Sequence, residues 1–285
     1  MNIRPLGPDD VEPLCALVDA DRLPGQPACT PEMVRAVMAG RSTVDAWWWS
    51  QLAAMRLVAA EDGSGRLAGA GAVGRWPSGT RYLLWLHGAE DRAVLDAVLW
   101  SLLRGVRRPD PIFAFWFATE LSMGLEGLPR AARPHTDEAL LARGFAGEDR
   151  WLYLRATGAG PPPTAEYRTR GLGGELRVEL TAGNEVVGGA ELSLPAPGFG
   201  VLWWLEIEPE HRRRGRGREL LRAARAVLAE AGAREMILFV DRDDPVARDR
   251  RPALALYESE GFAVVDHLWS YRRGEMPPDE RHGRG

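Results

Sequence analysis

The stretch HRRRGRGREL, residues 211–220, sets Arg212, Arg213, Arg214, Arg216 and Arg218 around Gly215 and Gly217. Guanidinium groups pair with oxyanions, and glycines leave the backbone open to close approach by a ligand. Before this stretch, VLWWLEIEP (201–209) has the pattern of a strand; after it, GRELLRAARAVLAEAG (217–232) has that of an amphipathic helix starting near Arg216. The first N–H groups of a helix lack partners within it, and the helix dipole adds positive charge there. Strand, glycine loop and helix N-terminus together make a cradle for a phosphate or pyrophosphate. The competing readings are a solvated charged loop and a nucleic-acid contact. Against the latter, the chain carries a net charge of −4, and neither half has the basic excess such a partner requires.

All 36 basic residues are arginine, so the run reflects an arginine-only chain as well as a local concentration. Hydrophobic residues at 45% and charged residues at 27% are globular values, and 285 residues suffice for two domains with their own cores. Cys15 and Cys29 are the only cysteines, which argues against a disulfide framework or a cysteine-built zinc site; no metal is expected. The opening MNIRPLGPDD has no apolar signal core, and no run approaches the ~18 apolar residues of a membrane span. The expectation is a soluble cytoplasmic protein with no membrane partner.

The segment ATGAGPPPT (156–164) separates two patterned regions, giving expected domains at 1–157 and 167–285 with a linker at 158–166. In the first, DDVEPLCALVDA (9–20) predicts a helix with Val11, Leu14, Cys15 and Val18 on one face. A second helix, TPEMVRAVMAG (30–40), has Thr30 as N-cap. A hairpin over 56–73 turning at Asp62-Gly63, a strand at 82–88, a helix at 91–105 and a strand at 111–117 follow. A short helix (136–145) and a last strand (149–156) close the region. The second region repeats the order: hairpin 174–194, strand 201–209, long helix, strand 235–241, short helix 252–262 and strand 263–273. LLARGF and LYESEGF, each a short helix ending at Gly-Phe, mark the same point in both copies. The second copy lacks the opening helices, with only EYRTRGL in their place; the cover comes from the first domain or from a second chain in a homodimer.

Arg212-Arg213-Arg214-Gly215-Arg216-Gly217 matches the Arg/Gln-x-x-Gly-x-Gly/Ala signature of the GNAT superfamily of acyl-CoA N-acyltransferases, and the order of elements around it over residues 174–273 resembles that family. The first half resembles it in element order only. The implied fold is α/β (α+β), with two GNAT-like domains, each a twisted mixed, mostly antiparallel sheet flanked by helices. In layout this is similar to two-domain members such as mycothiol synthase, whose active copy is the second. The implied partners are acetyl-CoA, or another acyl-CoA, as co-substrate, and an amine acceptor. The resemblance places the donor on Leu205, Glu206 and Ile207 of the strand and on Arg212, Arg213, Arg214, Gly215, Arg216, Gly217 and Arg218 of the loop. It adds Asp244, in the loop after the next strand, where the family commonly has asparagine.

The family's proton donor to the departing thiolate corresponds to Tyr257, four residues before Gly261; the first copy has Leu140 at the matching place. Glu206 and Glu208 alternate with Leu205 and Ile207 and so are expected on one strand face. Glu206 is the assigned base, because the family's more usual base positions hold Val201, Trp203 and Phe239. The alternative is that Glu206 merely pairs with the arginines. His87, at a strand end in the first copy, reads as structural or as a catalytic imidazole, and WWW at 47–49 as core aromatics or an acceptor wall. Trp203, Trp204 and Trp269 hint at an apolar acceptor pocket. The first domain is expected to be non-catalytic. The functional expectation is acetyl transfer to an amine by direct attack in a ternary complex, with a non-enzymatic acyl-CoA-binding or sensing protein as the alternative.

Overall fold

The computed structural model describes residues 1–106, 110–122, 125–172, 175–241 and 249–275. The chain divides into two compact units. Unit 1 comprises Met1–Leu23, Ala28–Arg150 and the segment from Asp266 onward; unit 2 comprises Pro24–Pro27 and Trp151–Val265. Each is a mixed, mostly antiparallel sheet flanked by helices.

Unit 1 opens with β1 (Asn2–Pro5), α1 (Val11–Ala20), α2 (Pro31–Met38) and α3 (Ala46–Ser50). The expected stripe of α1 is buried at Val11, Leu14 and Val18, and Thr30 caps α2 by accepting from the Met33 N–H at 3.3 Å. β2 (Ala54–Glu61) and β3 (Leu67–Arg75) form the hairpin, whose turn is held by the Asp62 carboxylate accepting from the N–H groups of Ser64 and Arg66. β4 (Arg81–His87), α4 (Arg92–Leu102), β5 (Ile112–Ala114), β6 (Leu128–Pro129), α5 (Pro134–Ala142) and β7 (Ala146–Thr157) complete the run. The sheet order is β1-β2-β3-β4-β5, antiparallel except for the parallel β4–β5 pair. α4 lies close on β3: a Cβ at Gly69 would come within 2.3 Å of Val94, so glycine there sets the helix-to-sheet distance. The other face is covered by α1, α2 and the aromatic core of Trp49, Tyr82, Trp85 and Phe113.

Unit 2 contains β8 (Tyr167–Leu172), β9 (Glu175–Ala182), β10 (Glu185–Ala196), β11 (Phe199–Ile207), α6 (Arg216–Glu230), β12 (Glu235–Asp241), α7 (Arg251–Ser259) and the start of β13 (Ala263–Arg273). With the Trp151–Thr157 part of β7, the order is β7-β12-β11-β10-β9-β8. α6 buries Leu220, Leu221, Ala224, Val227 and Leu228 against Val178, Leu180, Ala190, Leu192, Leu202 and Leu238, one face of the sheet.

Three expectations need correction. The strand foreseen at 111–117 stops at Ala114, because Phe115 turns into the left-handed region (φ 53°) and takes Trp116 and Phe117 off the ladder. EYRTRGL is not a bare connector: Tyr167 to Leu172 pair with β9 as an edge strand. The units also divide inside strands and not at the glycine–proline segment. β7 gives Ala146–Arg150 to unit 1 and Trp151–Thr157 to unit 2, while β13 gives Asp266–Arg273 to unit 1, where Tyr271 to Arg273 pair with β5. A strand's local pattern shows that it will be a strand, but its partners are set by non-local register.

The glycine–proline segment is fastened to α6. The buried Arg225 donates to the carbonyls of Glu260 (2.5 Å), Gly158 (3.0 Å) and Thr157 (3.3 Å). Six residues earlier on the helix, Glu219 accepts from the N–H (2.7 Å) and hydroxyl (2.9 Å) of Thr164 and from the Ala165 N–H (3.0 Å). Among the described residues no helix is long and apolar enough to cross a membrane.

Burial pushes the Glu219 carboxyl up, but the three hydrogen bonds and the nearby Arg222 charge outweigh it and hold the group below its ordinary 4.5. A depressed folded-state value stabilises the fold above the unfolded pKa and is lost as pH falls through the folded one. Unfolding in urea from pH 7 down to 3 should therefore show a loss of stability beginning near 4.5, and Glu219→Gln should flatten that part of the curve.

Candidate functional site

β11 and β12 run parallel and paired for four residues only, from Phe199↔Glu235 to Leu202↔Leu238. Beyond that point the two strands share no ladder, although each stays fixed on its outer side: β11 to β10 as far as Ile207↔Gly188, and β12 to β7 as far as Asp241↔Trp151. The edge of β11 from Trp203 to Ile207 is thus open toward β12 while its backbone is held. A bulge sharpens the parting. Leu192 faces Leu202 and Glu191 faces Trp204, so Trp203 is the extra residue, and both tryptophans come out exposed.

The chain leaves β11 through a single 3₁₀ turn, Pro209–His211, and enters the arginine loop. Arg213 (φ 59°) and Gly215 (φ 76°) both adopt left-handed conformations, and Gly215 is the N-cap of α6. No side chain caps this helix. The first return bonds are those of Arg218 and Glu219 to the Gly215 carbonyl, and the N–H groups of Arg213, Arg214, Gly215, Arg216 and Gly217 have no partner among the described residues. A run of unpartnered N–H groups at a helix start is an anion site by geometry and by dipole.

The five arginines divide into two kinds. Arg212 is structural: its Nε donates to the Ile207 carbonyl at 2.7 Å, and it pairs with Glu206 at 3.4 Å. Arg218 pairs with Glu260 at 2.9 Å. Arg213, Arg214 and Arg216 make no ion pair or side-chain hydrogen bond among the described residues, which leaves three guanidinium groups for an oxyanion.

Glu206 stands on the face opposite α6, between the core residues Leu205 and Ile207, and takes bonds from Arg212 and from the Trp204 indole N–H, both at 3.4 Å. Glu208 is not its neighbour on that face: β11 ends at Ile207, and Glu208 is already the cap of the 3₁₀ turn. Tyr257, on α7, packs edge-on against Phe262 at 5.9 Å within the unit 2 core. Its hydroxyl makes no hydrogen bond among the described residues. Burial raises its pKa to about 12, with the Arg250 charge pulling the other way. Arg250, cap of α7, forms a short ion pair with Asp241 at the end of β12. Sequence reasoning passed over that pair, though an arginine two positions before Pro252 at a helix start was a visible signal. Asp244 lies outside the described residues.

Unit 1 has the same element order and a different finish. After β4 the loop passes through Ala89 (φ 47°) and Glu90 (φ 54°), and α4 is capped by Asp91, which accepts from the N–H groups of Ala93 and Val94. Glu90 accepts from Arg133 (2.9 Å) and from the N–H groups of His135 (2.8 Å) and Thr136 (3.1 Å). Arg133 reaches on to Asp21 at 3.1 Å, and Asp21 meets His87 at 2.7 Å. Burial depresses the His87 pKa despite that carboxylate. His87 is thus a satisfied interior histidine, and the loop's anion is the protein's own. Of the three tryptophans at 47–49, Trp49 is core and donates to the Ala118 carbonyl at 3.1 Å, Trp48 is sandwiched between Trp76 and Phe117, and Trp47 is exposed. Trp269 falls in the unit 1 part of β13, beneath Arg130 at 4.1 Å, and so does not share a unit with Trp203 and Trp204.

Residues 160–262 match the family model described as Acetyltransferase (GNAT) family. The matched stretch, somewhat over a third of the chain, holds the open strand edge, the arginine loop and Tyr257. Solved structures share the fold over nearly the whole chain. A GCN5-related N-acetyltransferase from Sphaerobacter thermophilus is 15% identical, with 97% of this chain and 96% of that one covered at a TM-score of 0.61. A tandem GNAT protein from the clavulanic acid biosynthesis pathway is also 15% identical, with 97% and 99% covered at 0.61. A GNAT-family acetyltransferase from Colwellia psychrerythraea is 10% identical, with 96% and 100% covered at 0.56. At such identities the likeness establishes the fold, here the tandem arrangement. No curated protein matches the chain in sequence.

The loop glycines differ in what they tolerate. A Cβ at Gly215 would meet no atom within 4 Å, but the residue sits at φ +76°; at Gly217 the nearest atom is Leu256 at 3.4 Å, an ordinary contact. Gly215→Ala should therefore cost about 1 kcal/mol from backbone strain alone, whereas Gly217→Ala should leave thermal unfolding unchanged or slightly raised.

Proposed function

We propose that the protein is an N-acetyltransferase with a single competent site, in unit 2, which moves the acetyl group of acetyl-CoA to an amine. The observation that carries this reading is the uncapped N-terminus of α6, where five N–H groups and three guanidinium groups have no partner among the described residues, placed directly after a strand whose edge opens. The N–H groups of Arg213 to Gly217 suit the pyrophosphate, and the side chains of Arg213, Arg214 and Arg216 suit the remaining phosphate charge. The open edge at Leu205, Glu206 and Ile207 suits an amide-bearing arm running alongside as an extra strand. Acetyl-CoA, when bound, supplies an acyl carbon activated as a thioester.

In this reading the chain's own residues act by position and proton transfer. Holding both substrates at the parting of β11 and β12 replaces a bimolecular encounter with an oriented one. The amine loses a proton through water to Glu206, its nitrogen attacks the thioester carbon, the C–S bond breaks, and the departing sulfur takes the proton of Tyr257. The Tyr257 hydroxyl suits this role because burial keeps it protonated and no acceptor among the described residues competes for it. Unit 1 we read as non-catalytic: Asp91 and Glu90 already satisfy the helix starts to which a phosphate would bind.

Titration calorimetry with acetyl-CoA should give one site per chain, and Arg213→Gln, Arg214→Gln and Arg216→Gln should each weaken binding several-fold, with a shallower dependence on salt. Two sites per chain would contradict the reading of unit 1, and no binding by acetyl- or longer acyl-CoAs would end the whole proposal. Binding without thiol release on any amine would favour an acyl-CoA-binding protein that does not turn over.

Tyr257→Phe should leave acetyl-CoA affinity unchanged and lower kcat by about a hundredfold. Because the phenol stays neutral until about pH 12, the wild-type kcat profile should show no falling alkaline limb from this group in the neutral to moderately alkaline range.

A further inference from the structure

The face of the unit 2 sheet opposite α6 carries the alternate residues of β7, β12 and β11, and where the strands part those residues are rings. Trp203 stacks on Phe239 (centroids 6.1 Å apart, planes at 25°), and Phe239 stacks on Tyr153 (5.7 Å, 24°). Trp203 and Phe239 are each the first residue past the last paired rung, Leu202↔Leu238, so the outer end of the stack lies at the opening itself. The inner end is anchored: Tyr153 is fully buried, and its hydroxyl donates to the Pro24 carbonyl at 2.8 Å. Pro24–Pro27 is the one early piece of chain that belongs to unit 2. It presses so closely that a Cβ on Gly25 would come within 2.5 Å of the Tyr153 hydroxyl and 2.6 Å of Ile237.

The outer ring is 38% exposed, and its only polar atom is spoken for, because the Trp203 indole N–H donates to the Ser193 hydroxyl at 2.7 Å. What Trp203 offers a ligand is therefore a fixed π face and not a hydrogen bond. The neighbouring side chains on this face at the last paired rungs, Val201 and Ile237, add no polar group. A hydroxyl-rich acceptor laid on these rings would turn its hydrogen-bonding groups onto apolar ring faces, with the carboxylates of Glu206 and Asp241 lying to the side. A flat apolar acceptor would gain a preformed stacking partner at little ordering cost.

We propose that the acceptor is a primary amine borne on a planar, aromatic body that stacks on Trp203, with Trp203 the residue that sets this specificity. The inference rests on the acyl-transfer reading above and narrows it to a substrate class. The amine, on a short flexible arm from the ring, reaches the opening between β11 and β12, and Glu206 lies further along the same strand.

The test compares 2-phenylethylamine and tryptamine with ethanolamine and putrescine as acceptors, reading thiol release from acetyl-CoA, with acetyl-CoA affinity measured separately by calorimetry. The aryl amines should exceed the hydrophilic ones in kcat/KM by about tenfold or more. Trp203→Ala should raise KM for the aryl amines by about tenfold with acetyl-CoA affinity unchanged, and Trp203→Phe should retain most of the preference. Trp203→Leu, which keeps bulk but not the π face, decides the matter if the alanine variant also loses acetyl-CoA. Equal or better use of ethanolamine or putrescine, persistence of the aryl preference in Trp203→Leu, or acetyl-CoA binding with no acylation of either class would each overturn the inference. The first two of these leave the acetyltransferase reading standing. Failure of the wild-type protein to bind any acyl-CoA would instead remove that reading, and this inference with it.

Discussion

Two neighbouring strands that stop pairing after four rungs govern the rest of unit 2. Buried backbone groups need partners, so an interrupted ladder is stable only where something else holds the strands and something can reach the freed groups. Here the holding is done on the outer sides, by β10 against β11 and by β7 against β12. The opening is thus framed by a paired strand on each outer side. Its upper side receives α6 with a bare N-terminus, and the other face of the sheet receives a stack of rings. The bulge that makes Trp203 an extra residue belongs to the same device, because it turns two consecutive side chains outward at the point of parting.

The two units show how one element order yields opposite local chemistry. In unit 2 the turn after the strand is made by Gly215, which brings no side chain into the space before the helix. In unit 1 the loop after β4 holds carboxylates, Asp91 capping α4 and Glu90 accepting from the first N–H groups of α5, and a buried arginine links Glu90 to Asp21 and on to His87. A helix start filled by the protein's own anion has its N–H demand met internally, which adds to stability and removes the attraction for an outside anion. The difference comes down to a handful of side chains in otherwise parallel architecture.

Much of this was legible in the sequence. The stripe on α6, the hairpin turns and the arginine loop follow from periodicity and glycine placement, since those features depend on residues near one another in the chain. Tyr257 was singled out through a family resemblance. What was not legible depended on distant partners. Nothing local tells Arg212 and Arg218, which are bound to the Ile207 carbonyl and to Glu260, from Arg213, Arg214 and Arg216, which are not. The bulge at Trp203 arises from the register of β10, and the adoption of Pro24–Pro27 by unit 2 arises from packing on Tyr153 and Ile237. Trp269 was grouped with Trp203 because tryptophans look alike in a sequence; the allocation of β13 assigns it to unit 1.

That allocation of strands bears on how the chain can be taken apart. The glycine–proline segment looks like the natural place to cut the gene, yet a cut there would strip Asp266–Arg273 from unit 1 and Trp151–Thr157 from unit 2, along with Pro24–Pro27. Each fragment would carry an unpaired sheet edge where a strand had been, the feature that invites aggregation. Each unit draws a segment of strand from the far side of the glycine–proline segment, so no single cut there leaves both units whole.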